Sequence, residues 1–237
     1  LEQLADASDG PTVRTDVIER TQLDVADAIA EYAERRRTDL VVMGTHGRGG
    51  VGRLVLGSVA NALIRRSSVP VMTVRDRGED EVPAAAPGVY ETLLAPIDFS
   101  DHSRRALHIA KEIAHPYGAT RHLLFVAEKR VLPTFSDTGL PGLSVVEMDP
   151  EIIENAAEAL EAFDDHVEGP AGPRACHVVE GDVATNIVGF AEDNQADLIV
   201  MATRGLTGVD QFVLGSNAER VVRRAPCPVL TVPPHEA

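Results

Sequence analysis

The stretch that decides the fold is Ala196–Val232, which reads ADLIVMATRGLTGVDQFVLGSNAERVVRRAPCPVLTV. Its apolar run Leu198–Met201 predicts a short strand that is buried on both faces. A loop with Gly205 follows, and a helix is expected after Gly215. The apolar run Val229–Val232 predicts a closing strand. A strand, a glycine loop, a helix and a second strand together indicate one unit of an α/β sheet.

Nearly the same stretch occurs earlier, at Thr38–Val74, as TDLVVMGTHGRGGVGRLVLGSVANALIRRSSVPVMTV. A shift of 158 residues places Gly47 on Gly205 and Gly57 on Gly215 without a gap. Such in-register similarity indicates an internal duplication. We therefore expect a first repeat over residues 1–75 and a second over residues 90–234. Residues 76–89, charged and then rich in proline and alanine, are interpreted as a linker.

The repeated loop has the composition of an anion site. Glycine lets the backbone turn sharply and approach a ligand closely, and a helix N-terminus adds partial positive charge. The hydroxyl group of Ser58 or Ser216 can donate to a phosphate oxygen. Alternatively, these serines only cap their helices and the glycines only form turns. The repetition of the spacing favours the anion site.

In the second repeat, strand patterns alternate with helical ones, which predicts a parallel sheet covered on both faces. The segment Glu128–Pro150, rich in proline and glycine, is interpreted as a long loop or lid. The predicted strands are Thr92–Ile97, Arg121–Ala127, Arg174–Glu180, Leu198–Met201 and Val229–Val232.

The first repeat is shorter than the second. Its predicted strands are Thr12–Ile18, Leu40–Met43 and Val69–Val74, with a helix capped by Asp24 that runs to about Arg36. No segment of the sequence given corresponds to the first two strands of the second repeat. We expect about sixty further residues at the front of the natural protein, or another chain, to supply them.

Charge and composition exclude several classes of function. The formal net charge is -15, and we count two lysines among the 22 basic residues. Such a surface repels nucleic acid and anionic lipid, so neither is an expected partner. The acidic, lysine-poor composition indicates adaptation to a salty cytoplasm. We find no run that predicts a membrane span, and Cys176 and Cys227 are expected to be free thiols.

The spacing Gly44-x-x-Gly47, nine residues, then Gly57-Ser58 resembles the motif of the nucleotide-binding universal stress proteins. The segment Pro96-x-Asp98-x-Ser100 and the closing strand after Pro228 resemble the same family. The resemblance implies two flavodoxin-like or Rossmann-like (HUP-type) open-sheet domains with strand order 3-2-1-4-5, the first of them incomplete. It also implies that the terminal strands of the two repeats pair as an internal pseudo-dimer, and that a homodimer can form.

The resemblance further implies that ATP, or alternatively ADP or AMP, binds at the carboxyl ends of the strands, with Mg²⁺ accompanying the nucleotide. Ala202 departs from the glycine that the family has at its position. The contacts implied for the second repeat are Pro96, Asp98, Val126, Ala202, Arg204, Gly205, Gly215, Ser216 and Asn217. Those implied for the first repeat, which lacks the adenine half, are Gly44, His46, Gly47, Gly57 and Ser58.

The role of Asp98 stays open at this point. It can recognise an adenine edge, bind Mg²⁺ or cap the following helix. Phosphorylation, as in a response receiver, is disfavoured because the sequence has no lysine beyond Lys129. We find no nucleophile, base and acid set, so hydrolysis is expected to be slow or nil. A nucleotide-free dimerisation or scaffold module and a slow ATPase are the alternatives to a nucleotide-dependent regulator.

Overall fold

The structure is a computed structural model. It describes residues 14–18, 24–45, 56–75, 89–128, 130–135, 141–146, 150–205 and 214–234. The predicted linker falls almost wholly on residues outside this set. No helix in the described part of the chain has the length and apolar character that a bilayer span requires.

Nine strands and six α-helices form in the described residues. The strands are β1 Val41–Gly44, β2 Val71–Val74, β3 Thr92–Pro96, β4 Thr120–Ala127, β5 Arg130–Phe135, β6 Pro141–Val146, β7 Arg174–Glu180, β8 Leu198–Ala202 and β9 Val229–Val232. The helices are α1 Val25–Arg36, α2 Ser58–Arg66, α3 Asp101–Ala114, α4 Pro150–His166, α5 Val183–Asp193 and α6 Ser216–Arg224.

Seven strands form one open sheet in the order β1-β2-β9-β8-β3-β4-β7. The second repeat contributes β3, β4, β7, β8 and β9 to this sheet, and read from β7 to β9 these five strands have the order 3-2-1-4-5. All four contacts between them are parallel. The predicted α/β class and the order 3-2-1-4-5 are confirmed. The first repeat adds β1 and β2, which are parallel to each other.

The two repeats join through their last strands. Strands β2 and β9 pair antiparallel, with Met72 opposite Leu230 at the centre of the register. Because these two residues are equivalent under the shift of 158, the joint has local two-fold pseudosymmetry. The Thr73 hydroxyl donates to the carbonyl oxygen of Val229 at 3.2 Å, and the equivalent Thr231 hydroxyl donates to Val71 at 3.0 Å. The expected pairing of the terminal strands is therefore present.

Helices cover the two faces of the sheet unequally. Helices α1, α2, α5 and α6 contribute to one apolar core, whereas α3 and α4 contribute to the other. Residues at helical spacing explain this burial; in α3, Ala106, Ala110 and Ala114 are buried along one side. The second repeat is thus covered on both faces.

Three local predictions are wrong. Residues 14–18 of the predicted strand Thr12–Ile18 form no strand. In the order 3-2-1-4-5 the neighbour of this strand would be the second strand, which has no counterpart in the sequence given. Asp24 precedes α1, but its side chain accepts no backbone N–H of that helix and instead pairs with Arg66 at 3.4 Å.

The third error concerns Glu128–Pro150. Part of this segment forms a two-stranded antiparallel sheet of β5 and β6 rather than a loop. Proline is compatible with a strand in a two-stranded sheet because each strand there has an unpaired edge. The two strands also contain β-branched and aromatic residues, which are enriched in strands: Val131, Thr134, Phe135, Val145 and Val146.

A buried ion cluster fastens α4 to the sheet. The Asp164 carboxylate accepts from Arg121 at 2.6 Å and from Arg174 at 2.7 Å, and Lys111 lies 3.4 Å from it. Burial alone would raise the pKa of Asp164, but the hydrogen bonds from Arg174 and Arg121 outweigh it and lower that pKa. The carboxylate therefore stays charged inside the core.

Candidate functional site

The carboxyl ends of three neighbouring strands form one edge of the sheet in the second repeat, which we call the carboxyl edge. Pro96 ends β3, Ala202 ends β8, and Val126 is the penultimate residue of β4. Val126 is buried, whereas Pro96 and Ala202 are half-buried. Ligands of open α/β sheets bind in the crevice at this edge, where the strand order reverses.

Asp98 lies just beyond β3 at the carboxyl edge. Its Oδ1 accepts from the backbone N–H of Ser100 at 3.0 Å and from the Ser100 hydroxyl at 2.6 Å. Ser100, in turn, caps α3 by accepting from the backbone N–H of Ser103 at 3.1 Å. The alternative in which Asp98 caps the helix is therefore wrong, because Ser100 does so and Asp98 orients Ser100.

Phe99 makes this arrangement sterically unusual. Its φ angle is 62°, in the left-handed region that a bulky residue rarely adopts. Its ring packs 5.1 Å from that of Phe125 and 5.5 Å from that of Phe163, measured between centroids. The turn thus sends an aromatic ring into the core, and the packing of that ring stabilises the turn.

The other oxygen of Asp98 lies against the glycine loop. A Cβ atom built on Gly205 would lie 2.6 Å from Asp98 Oδ2, closer than real Cβ contacts allow. Any other residue at this position would force the Asp98 carboxylate to move, and the hydrogen bonds from Ser100 oppose that movement. The structure therefore brings together two residues that the sequence places 107 positions apart.

The glycine loop is closed at its base by backbone hydrogen bonds. The N–H of Thr203 donates to Val232 at 3.0 Å, and the N–H of Gly215 donates to the Thr203 carbonyl oxygen at 2.9 Å. A Cβ on Gly215 would lie 3.2 Å from that same oxygen, which favours glycine there. The two ends of the loop, at Thr203 and Gly215, are therefore held together where α6 begins.

The first repeat closes its loop in the same way. The backbone N–H of Thr45, which is equivalent to Thr203, donates to the carbonyl oxygen of Val74 at 3.0 Å. The N–H of Gly57 donates to the carbonyl oxygen of Thr45 at 2.8 Å. Gly44 is exposed at the end of β1. His46 and Gly47 lie outside the described residues. No counterpart of Asp98 is found in the described part of this repeat.

The serines at the helix starts are not caps. Gly57 and Gly215 occupy the cap positions with extended backbone, and Ser58 and Ser216 are the first helical residues. The alternative in which the serines cap their helices is therefore wrong. Ser216 is exposed and Asn217 is half-buried. The first N–H groups of a helix have no partner within it, so they form a partly positive end that suits an anion.

Helix α6 is fastened at its side to the start of α5. Arg220 donates to both carboxylate oxygens of Asp182, at 2.7 and 2.8 Å. The hydrogen bonds from Arg220 and Thr185 lower the pKa of Asp182. Asp182 also caps α5 by accepting from the backbone N–H of Thr185 at 2.9 Å. The two helices are therefore linked beside the glycine loop.

Three contributions to the site were missed from the sequence: the loop-closing threonines, the capping role of Ser100 and the turn at Phe99. The closing bonds use backbone atoms of Thr45 and Thr203, so the identity of these residues under the shift of 158 does not by itself predict them. Arg204 is half-buried where the loop begins. Among the described residues, no group of three or more His, Cys, Asp or Glu side chains is arranged to hold a metal ion.

Comparison with known proteins places these features in a family. The sequence profile described as the universal stress protein family matches residues 1–75 and 90–233. A universal stress protein of Methanocaldococcus jannaschii is 38% identical over 145 residues, which cover 61% of this chain and 82% of that protein. A universal stress protein of Mycobacterium tuberculosis is 28% identical over 225 residues, which cover 92% of this chain and 68% of that protein.

A solved structure agrees in fold. The crystal structure of a universal stress protein from Archaeoglobus fulgidus superposes with a TM-score of 0.59 at 23% identity. The match covers 89% of this chain and 66% of that one, so this chain spans slightly less than two thirds of that structure. The profile matches both repeats, and the chain belongs to the universal stress protein family.

Proposed function

We propose that this protein binds an adenine nucleotide, ATP foremost, at the carboxyl edge of the second repeat. It acts as a nucleotide-dependent regulator in a stress response, with slow or no hydrolysis. The observation that carries the proposal is the approach of Asp98 Oδ2 to Gly205, where a Cβ would intrude to 2.6 Å. This proximity of Asp98 to Gly205 supports a single site formed by the adenine half and the phosphate half of the family motif.

The adenine half of the proposed site consists of Pro96, Asp98 and Val126. Ser100 donates to Oδ1 of Asp98 and thereby fixes the carboxylate, and Oδ2 lies on the side of Gly205. A fixed carboxylate is a hydrogen-bond acceptor suited to the amino group of adenine or to a ribose hydroxyl. Val126 supplies an apolar surface for the base.

The phosphate half of the proposed site consists of the loop and the start of α6. Arg204 supplies positive charge, and Gly205 and Gly215 keep the backbone accessible. Ser216 and Asn217 supply the first amides of α6, which have no acceptor within the helix. Mg²⁺ would be held mainly by the phosphate oxygens and water, as is usual for this ion. Ala202 adds a methyl group beside the ribose.

A titration of the full chain with ATP tests the proposal, and Gly205→Glu is the decisive variant. A carboxylate beside Asp98 and the phosphates should lower the affinity by at least about a hundredfold, because like charges brought together cost several kcal/mol. The matched control is Gly172→Glu, the same change at an exposed glycine where a Cβ would meet no atom within 4 Å, which should leave ATP binding intact.

Two outcomes would remove the nucleotide function. One is the absence of saturable ATP binding below about 1 mM, a level that corresponds to only about 4 kcal/mol of binding free energy. The other is an unchanged affinity of Gly205→Glu. Either result would favour the nucleotide-free scaffold, for which the paired strands β2 and β9 are the structural support. Turnover that depends on Mg²⁺ and falls in Asp98→Ala would instead indicate a slow ATPase.

The cellular setting belongs to the same proposal. We place the protein in the cytoplasm of a cell with high internal salt, where it also forms a homodimer. The support for the salt adaptation is the net charge of -15 with two lysines among 22 basic residues. Salt screens the self-repulsion of such a surface, so the melting temperature should rise in molar KCl. A melting temperature that does not depend on KCl would contradict the salt adaptation.

A further inference from the structure

Arg75 of the first repeat reaches across the joint to a helix of the second repeat. Its guanidinium donates to the carbonyl oxygens of Arg223 at 2.9 Å, Ala225 at 3.1 Å and Arg224 at 3.4 Å. These carbonyls lie at the C-terminal end of α6, where helical carbonyl groups have no onward partner. A cation at this end also complements the helix dipole.

The helix that Arg75 holds is the one that begins at the proposed nucleotide site. Helix α6 has nine residues, from Ser216 to Arg224. At 1.5 Å per residue it is about 13 Å long, short enough to move as one rigid body. A displacement at its C-terminal end is therefore transmitted to the amides of Ser216 and Asn217.

Two polar contacts hold this helix at different points. Arg220 binds Asp182 within the second repeat, which fixes the side of α6. Arg75 comes from the first repeat and fixes the end of α6 along its axis. Because the sheet-facing Val221 and Val222 are apolar, their packing is less directional than these hydrogen bonds.

The position equivalent to Arg75 in the second repeat cannot reciprocate this contact across the pseudo-two-fold joint. Under the shift of 158, the equivalent of Arg75 is Pro233, which has no side-chain donor. The two helix ends are otherwise alike, because the N–H of Ser67 donates to Leu63 and the equivalent N–H of Ala225 donates to Val221, each at 2.8 Å. Among the described residues, the guanidinium of the other repeat is therefore what distinguishes the end of α6 from the end of α2.

We infer that Arg75 is a positioning residue for the phosphate half of the site. By holding the C-terminal end of α6, it sets how far the amides at the other end project towards the phosphates. The first repeat thereby tunes the nucleotide affinity of the second without contacting the ligand. This inference rests on the proposed function, because it assumes that phosphates meet the start of α6.

The test compares ATP with adenosine, which lacks phosphates, in titrations of the full-length Arg75→Gln variant. We expect the ATP affinity to fall about tenfold and the adenosine affinity to stay unchanged. The matched control is Arg66→Gln, which removes another first-repeat guanidinium that pairs with Asp24 and Asp27 inside that repeat. It should change neither affinity.

Equal ATP affinity in Arg75→Gln and the wild type would overturn the inference. So would an equal loss for ATP and adenosine, since that pattern indicates general loosening of the fold. If Arg75→Gln does not fold, Arg75→Lys takes its place in the titrations, because it keeps the charge but loses the planar fork of donors. We expect this variant to lose about threefold in ATP affinity, with adenosine unaffected. Wild-type protein that binds no ATP would instead contradict the proposed function.

Discussion

The two repeats contain nearly the same strand in different surroundings. Strand β8 of the second repeat reads LIVMA and is buried along almost its whole length, whereas β1 of the first repeat reads VVMG and alternates between half-buried and exposed residues. Val200 has no exposed surface, while the equivalent Val42 is 58% exposed. The difference arises because β8 lies between β3 and β9 beneath α3, whereas in the described part of the chain β1 is the last strand of the sheet and has helices on one face.

What the repeats share is local. Each closes its glycine loop with a threonine, places a glycine at the cap and starts a helix with serine. What they do not share comes from neighbouring elements. Asp98, Ser100 and Phe99 belong to the connection after β3, and the described part of the first repeat has no such strand. A duplicated loop therefore gives a candidate site only where other strands complete it.

The largest effect should come from placing a charge at the equivalent valines. We expect Val200→Asp to destabilise the protein by more than about 4 kcal/mol, because it buries an unpaired carboxylate. Val42→Asp should change the free energy of unfolding by less than about 0.5 kcal/mol, as exposed substitutions usually do. Denaturant unfolding measures both. A large loss in Val42→Asp would mean that this face is covered in the intact protein, and the contrast between the repeats would fail.

The second largest loss of stability should come from the ion cluster that joins α4 to the sheet. Helix α4 has no counterpart in the described part of the first repeat, so this cluster also distinguishes the two repeats. Asp164→Ala leaves Arg121 and Lys111 buried without their carboxylate and should cost about 3–5 kcal/mol. The neighbouring Asp165 is exposed, so Asp165→Ala should leave the free energy of unfolding nearly unchanged. Because the pKa of Asp164 is lowered on folding, its contribution is present above the unfolded value of 3.8 and is lost as pH falls below it. Equal losses in the two variants would show that the buried carboxylate carries no special weight.

The joint between the repeats offers a test of their symmetry. Thr73→Val and Thr231→Val each remove one buried hydroxyl that donates to a carbonyl of the opposite strand. Each change should cost about 1 kcal/mol, and the two costs should agree within about 0.5 kcal/mol. Thermal unfolding of the two single variants measures the comparison. A loss confined to one of them would show that the pseudosymmetry of the backbone does not extend to the energetics.

The smallest effect concerns a histidine pair between β4 and β7 of the second repeat. His122 and His177 lie stacked, with ring nitrogens 3.0 Å apart and Phe190 packed against both rings. Burial lowers the pKa of both residues, and His177 lowers that of His122 further. The folded state thus binds fewer protons than the unfolded state near pH 6.5, so stability is full above that pH and is lost as pH falls through it.

We expect His177→Phe to flatten the dependence of the melting temperature on pH between roughly pH 7.5 and pH 5.5. The exposed His115 provides the control, and His115→Gln should retain the wild-type dependence. A dependence unchanged by His177→Phe would place the acid sensitivity outside the histidine pair.

Most strands of the second repeat could be predicted from the sequence because they follow strong periodic patterns. Strands β7 and β9 have the predicted bounds. The prediction failed where the outcome depended on a neighbour. Residues 14–18 have a strand pattern but form no strand, and β5 and β6 form through mutual pairing despite their prolines.

The sequence by itself determined the duplication, the α/β class and the spacing of the glycine loop. These features are encoded in composition and in short-range periodicity, which a chain carries whatever its surroundings. The tertiary structure alone decided that Asp98 meets Gly205, that Phe99 adopts a left-handed turn and that Arg75 holds the end of α6. Each depends on residues far apart in the chain, up to 150 positions for Arg75, and their contact is set by how the sheet and helices pack.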